Sequence, residues 1–278
     1  MTGLGMTLVR GALTSPFKRA GRTGATLPAR REVLPASRVA PARLAAYGGI
    51  CGFAASDVLP LTYPHVLGFP LAMRLMTARD FPLPVLGLVH TWIDITSHRA
   101  QRVTDELELT VYAAGLRPHR RGTEVTVVTE ARLADALVWE SRSGYLSRHA
   151  TSADSPARSS TPLPELPAVA EWRLPADLGR RYGAASGDRN PIHLHPATAK
   201  LFGFPRHIAH GMWTLARCLA EHEGRSGSGA QGRIRSVRAD FRAPVLLPST
   251  VTYATDGTAF QLRGAGRTHL TGQVDEED

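Results

Sequence analysis

The sequence has few cysteines, almost no lysine and no long apolar run. Its two cysteines, Cys51 and Cys218, lie far apart without a CxxC spacing, which argues against a zinc ribbon and against a disulfide framework. No apolar run reaches the roughly 18 residues that a membrane helix needs. These shortages predict a protein without an integral membrane span that works in the reducing cytoplasm.

Acidic residues are missing from the start of the chain, where Glu32 is the first. Arg and Lys are frequent there, and we predict a basic flexible segment over residues 1–40. The whole chain has a net charge of +9, carried almost entirely by Arg because Lys18 and Lys200 are its only lysines. Such charge suits an anionic partner. No helix-turn-helix, RNA-binding or zinc-finger pattern accompanies it, so we expect no nucleic-acid partner.

A stretch rich in Pro, Ser and Thr divides the chain into two halves. It covers residues 151–169 and predicts a linker between folded units at 41–150 and 170–278. The halves are related, because Tyr182 lies 182 minus 47, or 135, positions after Tyr47. The same offset aligns Gly48 with Gly183, Gly52 with Gly187, Leu59 with Leu194, and Gly68-Phe69-Pro70 with Gly203-Phe204-Pro205. We interpret this as an internal duplication.

Both halves show the same order of predicted elements. In the second half, apolar spacing and turn residues predict helices at 175–186, 196–202 and 211–223, and strands at 233–243, 249–254, 259–263 and 268–274. In the first half, strands are predicted at 85–96, 106–113, 124–131 and 136–146, after a helical region. The predicted fold class is therefore α+β, with one long helix wrapped by antiparallel strands in each half.

The two copies disagree where the second is most polar. The 135-residue offset places apolar side chains of the first half opposite polar ones of the second, pairing Phe53 with Asp188, Ala55 with Asn190 and Val58 with His193. A structural requirement would be kept in both copies, whereas a chemical one can be kept in one. The second half is thus predicted to be the catalytic half, and the first to be catalytically degenerate.

The polar segment resembles a known motif. Residues 182–199, which read YGAASGDRNPIHLHPATA, are followed by Gly203-Phe204-Pro205 and by the IAHGM of residues 208–212. Together they resemble the hydratase 2 motif of the MaoC-like dehydratases. Residues 40–278 also resemble the double-hotdog (3R)-hydroxyacyl-thioester dehydratases, with further matches at Phe81-Pro82, Gly87, His90, Arg120-Arg121-Gly122 and the FRAPVLLP of residues 241–248.

This resemblance implies a double hotdog, no cofactor, and an acyl chain carried on coenzyme A or acyl carrier protein. It implies reversible hydration of a trans-2-enoyl thioester to a (3R)-3-hydroxyacyl thioester. A carboxylate and an imidazole that share one water can serve as base and acid, which suits Asp188 and His193. By resemblance, Asn190 helps hold the site, and the Gly211 N–H at a helix start stabilises the thioester oxyanion.

Several alternatives stay open at this stage. His193 and His195 have the spacing of a metal pair, but no third ligand is spaced convincingly, so we expect no metal. His210 is expected to orient the turn before Gly211 rather than to transfer a proton. A hotdog thioesterase and a non-catalytic acyl-thioester binding protein are the rival functions, and a homodimer is an open question.

Overall fold

The computed structural model describes residues 26–151, 164–226 and 233–276. Their ten strands form one sheet, in the order β1-β3-β4-β5-β2-β7-β10-β9-β8-β6. The strands of the first half are β1 Glu32–Arg38, β2 Val89–Ser97, β3 Glu106–His119, β4 Gly122–Leu133 and β5 Ala136–Arg148. Those of the second half are β6 Ala168–Leu174, β7 Ile234–Phe241, β8 Ser249–Thr255, β9 Ala259–Gly264 and β10 Arg267–Glu276.

In the described ranges, six helices accompany the sheet. They are α1 Pro41–Cys51, α2 Tyr63–Thr77, α3 Leu178–Ser186, α4 Pro191–Leu194, α5 Pro196–Leu201 and α6 Gly211–Ser226. Helix α2 packs on β3 and β4, and helix α6 packs on β7 and β9. Within the described residues, no helix is long and apolar enough to cross a membrane.

The sheet consists of two copies of one strand arrangement. Read from its two outer edges, the order is β1-β3-β4-β5-β2 in one half and β6-β8-β9-β10-β7 in the other. The halves meet where β2 pairs antiparallel with β7, with Ile93 opposite Ala239. All neighbouring strands are antiparallel, and each half holds a long helix against its strands. The predicted α+β double hotdog is confirmed.

Alternating apolar side chains bind each helix to its strands. Leu107, Leu109 and Val111 in β3 are buried on the side that faces α2, as expected for a strand with one covered face. Gly68 allows close contact, because a Cβ there would lie 2.7 Å from the Thr129 Cγ2 atom. Apolar burial of this kind contributes about 25 cal/mol per Å² and holds the two layers together.

The two outermost strands contradict part of the sequence prediction. Residues 32–38, predicted to be flexible, form β1 and pair with β3, with Glu32 opposite Val111. Likewise β6 begins at Ala168, inside the predicted linker. Both are edge strands whose side chains are mostly exposed, so they lack the apolar alternation by which strands are recognised. Residues 1–25 and 152–163 lie outside the described residues.

The duplication is found in the first helix of each half. Helices α1 and α3 contain the paired Tyr47 and Tyr182, and each ends at a glycine with a left-handed backbone, Gly52 at φ 88° and Gly187 at φ 87°. Only glycine adopts that conformation without strain. These residues explain why the 135-residue offset is visible in the sequence.

The offset changes after these glycines, so the predicted pairing is wrong beyond this point. Helices α2 and α6 begin at Tyr63 and Gly211, and 211 minus 63 gives 148. The second half therefore has 148 minus 135, or 13, extra residues between its two helices, and the short helices α4 and α5 lie in this longer connection. Gly68-Phe69-Pro70 lies inside α2, whereas Gly203-Phe204-Pro205 lies in the loop before α6. Ala55 and Val58 consequently have no true counterparts in Asn190 and His193.

Candidate active site

The polar segment begins with a tight turn after α3. The Asp188 N–H donates to Ser186 Oγ at 3.1 Å, and the Asn190 N–H donates to Asp188 Oδ1 at 3.1 Å. The Asn190 side-chain oxygen accepts from the Ile192 N–H at 3.4 Å and caps α4. The D-x-N-P spacing therefore orients Asp188 and starts the short helix that carries His193. In this structure Asn190 holds the backbone.

His193 is fixed by a hydrogen bond across the loop. Its side chain is buried, and its Nδ1 lies 2.9 Å from the Ile208 carbonyl oxygen. Because a carbonyl can only accept, Nδ1 must carry the proton, which leaves Nε2 with a lone pair in the neutral ring. Burial lowers the pKa of His193, although Asp188 and the Ile208 carbonyl oppose this effect. The neutral imidazole is thus the favoured form near neutral pH.

His210 joins the two predicted catalytic residues. Its Nε2 donates to the Asp188 backbone oxygen at 3.0 Å, and its ring stacks on His193 with 3.7 Å between centroids. Tyr182 supports the other side of this ring at 4.8 Å. The prediction that His210 orients the chain before Gly211 agrees with this bond. Burial raises the pKa of Asp188, while His193 and the Asn190 N–H lower it.

Two glycines of α3 allow the site segment to cross the helix. A Cβ on Gly179 would lie 1.9 Å from the His193 carbonyl oxygen, and one on Gly183 would lie 2.7 Å from the Asp188 carbonyl oxygen. Real Cβ atoms do not approach an oxygen so closely. The glycines are four residues apart and therefore share one helix face. They place the backbone of the Asp188–His193 segment directly on α3.

Gly211 is the first residue of α6. Its N–H has no acceptor within the helix, so it is available to a ligand and lies at the positive end of the helix dipole. It follows His210 directly, which ties this helix start to Asp188. A Cβ on Gly211 would lie 3.0 Å from the Phe241 ring. The absent side chain leaves space that Phe241 limits on one side.

The first half contributes side chains that the sequence analysis did not assign to the site. His90 packs on Phe241 at 4.7 Å and on Tyr145 at 4.6 Å between ring centroids. The pKa of Tyr145 is raised by burial and further by Asp188. A row of three rings thus runs from Gly211 back toward Asp188. His90 in β2 lies opposite Tyr145 in β5 where these two strands pair. No local sequence pattern predicts that pairing.

Three side chains could together bind a metal ion. Potential ligand atoms of Asp188, His193 and His210 lie within 4.8 Å of one another. The nitrogens that do not already contact carbonyl oxygens are His193 Nε2 and His210 Nδ1. The alternative His193–His195 pair is not formed, because His195 is exposed and its Nδ1 accepts from the Ala197 N–H at 3.1 Å to cap α5.

The first half has different residues at the equivalent helix start. Thr62 precedes α2 where His210 precedes α6, and Tyr63 occupies the place of Gly211. Thr62 Oγ1 bonds to the Tyr47 hydroxyl at 2.8 Å, and the Tyr63 ring is fully buried. The first half therefore has a large buried side chain at the helix start where the second half has none.

Comparisons with known proteins agree with this geometry. Residues 159–275 match the model of the MaoC-like domain. The chain is 38% identical over 258 residues to 3-hydroxyacyl-thioester dehydratase X of Mycobacterium tuberculosis, covering 89% of this chain and 90% of the relative. It is 34% identical over 94 residues to the (R)-specific enoyl-CoA hydratase of Aeromonas caviae, covering 31% of this chain and 69% of the relative.

A solved structure extends the likeness to the full fold. The crystal structure of HtdX from Mycobacterium tuberculosis superposes with a TM-score of 0.75 at 37% identity, covering 89% of this chain and all of that one. Sequence and fold therefore agree over both halves and not only over the half that carries the motif. The chain belongs to the family of MaoC-like dehydratases.

Proposed function

We propose that this protein catalyses the reversible hydration of trans-2-enoyl thioesters to (3R)-3-hydroxyacyl thioesters. The observation that carries the proposal is the pair of Asp188 and His193, held close together beside the start of α6. The names of two relatives, a 3-hydroxyacyl-thioester dehydratase and an (R)-specific enoyl-CoA hydratase, describe the two directions of this reaction. The reaction belongs to fatty-acid-type metabolism.

The acid–base pair would act through one shared water. The Asp188 carboxylate and the neutral His193 Nε2 both accept hydrogen bonds, so they can hold one water between them. As the water oxygen bonds to C3 of the substrate, one of the two groups takes a proton from that water and then delivers it to C2, so that the H and OH of one water are added and the group returns to its starting state. The pKa of Asp188 is shifted up and that of His193 is shifted down, so the two pKa values lie closer to each other than those of the free side chains.

Gly211 would stabilise the charge that develops on the thioester oxygen. Attack at C3 moves electrons toward the thioester carbonyl, giving an enolate-like transition state. A backbone N–H at a helix start is a preorganised donor that needs no rearrangement. Losing one such donor costs about 10² to 10³ in kcat in other enzymes. Asn190 takes part as the cap that positions His193.

The carrier, the cellular location and the oligomeric state are further parts of this proposal. The acyl group is carried as a thioester of coenzyme A or acyl carrier protein. The thiols of Cys51 and Cys218 are free and buried, which supports a reducing cytoplasmic location. A homodimer stays a proposal, to be tested by sedimentation.

The direct test is an assay with crotonyl-, octenoyl- and dodecenoyl-CoA. We expect the enoyl-thioester absorbance to fall as the (3R)-3-hydroxyacyl product forms, with one mole of product for each mole of enoyl thioester lost. Chiral chromatography identifies the product. Free thiol should not accumulate. Release of coenzyme A without hydration would instead support a thioesterase, and tight binding without turnover would support the non-catalytic alternative.

Removing metal ions should leave the activity unchanged. The proposed chemistry needs only a carboxylate, an imidazole and a backbone donor, so exhaustive EDTA treatment should not alter kcat. Atomic emission should find no stoichiometric zinc or iron in the purified protein. Activity that disappears with EDTA and returns with one metal would mean that Asp188, His193 and His210 act as ligands.

A further inference from the structure

Two large apolar side chains are exposed next to each other beside the candidate site. Leu201, the last residue of α5, is 84% exposed, and Phe202 is 37% exposed. Elsewhere in the described ranges, only Val33 and Leu86 are exposed apolar side chains of this size. An exposed apolar pair that is not needed for the core suggests a contact with another molecule.

Basic side chains lie in the same stretch of the chain as this apolar pair. Between residues 178 and 220 the only acidic residue is Asp188, which belongs to the candidate site. Four of the exposed basic residues in this stretch are Arg180, Arg189, Lys200 and Arg206. We refer to Leu201, Phe202 and these four residues as the α5 surface.

The charges of the α5 surface have no carboxylate partners among the described residues. In the part of the chain that the structure describes, none of its four basic side chains lies within 4.0 Å of a carboxylate. Other arginines do pair with carboxylates, as in Arg38–Glu106, Arg74–Glu32, Arg132–Glu130 and Arg238–Asp94. An unpaired basic group around an apolar centre is complementary to an acidic partner with an apolar patch.

The α5 surface belongs to the same segment as the site. Arg180 donates to the Leu194 carbonyl at 3.3 Å, next to His193, and Arg206 donates to the Pro248 carbonyl at 3.4 Å. The turn after α5 is closed by the Phe204 N–H, which donates to the Ala199 carbonyl at 3.1 Å. The partner would therefore dock on a fixed surface within a few residues of the catalytic pair.

We propose that the α5 surface docks an acidic acyl carrier protein that delivers the acyl thioester on its phosphopantetheine arm. This inference rests on the proposed function and adds the carrier to it. Free coenzyme A offers no protein surface that would cover Leu201 and Phe202. A second copy of the chain would bring like charges together, and two side chains at the end of a six-residue helix bury little area in a membrane.

The experiment compares one acyl group on two carriers. Octenoyl-CoA and octenoyl-acyl carrier protein are assayed with the wild type, with Leu201→Glu and with the double variant Lys200→Glu/Arg206→Glu. We expect KM for the carrier-protein substrate to rise at least about tenfold in each variant, as for a central interface residue. The kcat/KM for octenoyl-CoA should stay within about twofold, because the site itself is unchanged. Val33→Glu and Arg235→Glu, on other exposed positions, are the matched controls and should alter neither substrate.

Each other outcome has a defined meaning. Equal losses on both substrates would overturn the inference and indicate coenzyme A binding or a damaged site. Unchanged kinetics on both substrates would also overturn it. A wild type that hydrates octenoyl-CoA but not the carrier-protein substrate would likewise overturn the inference. That result would leave the proposed function intact. Binding to anionic vesicles that is lost in Leu201→Glu, with unchanged carrier-protein kinetics, would assign the surface to a membrane. A wild type inactive on both substrates would refute the proposed function itself.

Discussion

Replacing Asp188 by Asn, or His193 by Gln, is expected to lower kcat by at least about a hundredfold, because positioned acid–base groups contribute roughly 10² to 10⁴. KM for crotonyl-CoA should change little, since neither substitution fills the site. The loss follows from removing one of the two groups that share the water. Steady-state kinetics on the purified variants measures it, and near-normal turnover by either variant would remove the mechanism.

The folded state of Asp188→Asn serves as the control. Burial raises the pKa of Asp188, so the folded protein binds this proton more tightly than the unfolded chain. Ionised Asp188 therefore weakens stability as the pH rises through its folded pKa. An asparagine keeps the acceptor for the Asn190 N–H but carries no charge. We expect the free energy of unfolding at pH 7 to be unchanged or higher, and a large decrease would mean that the kinetic loss reflects misfolding.

Replacing Gly179 by Ala is expected to lower both the stability and the activity of the protein. The added Cβ would lie 1.9 Å from the His193 carbonyl oxygen, and this oxygen belongs to the backbone and cannot rotate away. Either α3 or the catalytic segment must shift. Overpacking of this kind costs about 1–3 kcal/mol, and a shift of His193 by one ångström costs about a hundredfold in rate. Thermal unfolding and kcat measure both effects.

Gly49→Ala is the matched control. Gly49 lies in α1, the equivalent helix of the first half, and a Cβ there meets no atom within 4 Å. Alanine should stabilise that helix by about 1 kcal/mol, because glycine is the poorer helix former. Activity should be unchanged. If Gly179→Ala behaved like Gly49→Ala, then the close contact between α3 and the His193 backbone would not determine the site.

The sequence predicts the helices and strands whose signals lie within a few neighbouring residues. Apolar alternation in β3 and β4 and the glycine ends of α1 and α3 were visible as short patterns. The edge strands β1 and β6 were missed because their exposed side chains do not alternate. The ungapped pairing of the halves failed after Gly52 and Gly187, since an insertion of α4 and α5 leaves no mark on the residues before it.

The candidate site also contains both residues that local sequence patterns predict and residues that they do not. Asp188, Asn190 and His193 were predicted because they lie within six residues of one another. His210 lies just before α6, whose start is beside them. His90 and Tyr145 come from the other half. They reach the site through the pairing of β2 with β5 and through Phe241. That arrangement depends on the tertiary fold, which single-sequence reasoning does not contain.

The crossing of α3 by the catalytic segment makes the divergence of the two halves hard to reverse. At the 135-residue offset, 179 minus 135 gives 44, so Leu44 of α1 stands opposite Gly179, and Leu44 packs against the core. Tyr63 begins α2 where Gly211 begins α6, and its side chain is fully buried. To regain chemistry, the first half would need the 13-residue insertion and would have to lose both side chains, each change being harmful or useless alone. Single substitutions therefore offer no gradual route by which the first half could regain activity. One half stays reactive and the other supports it.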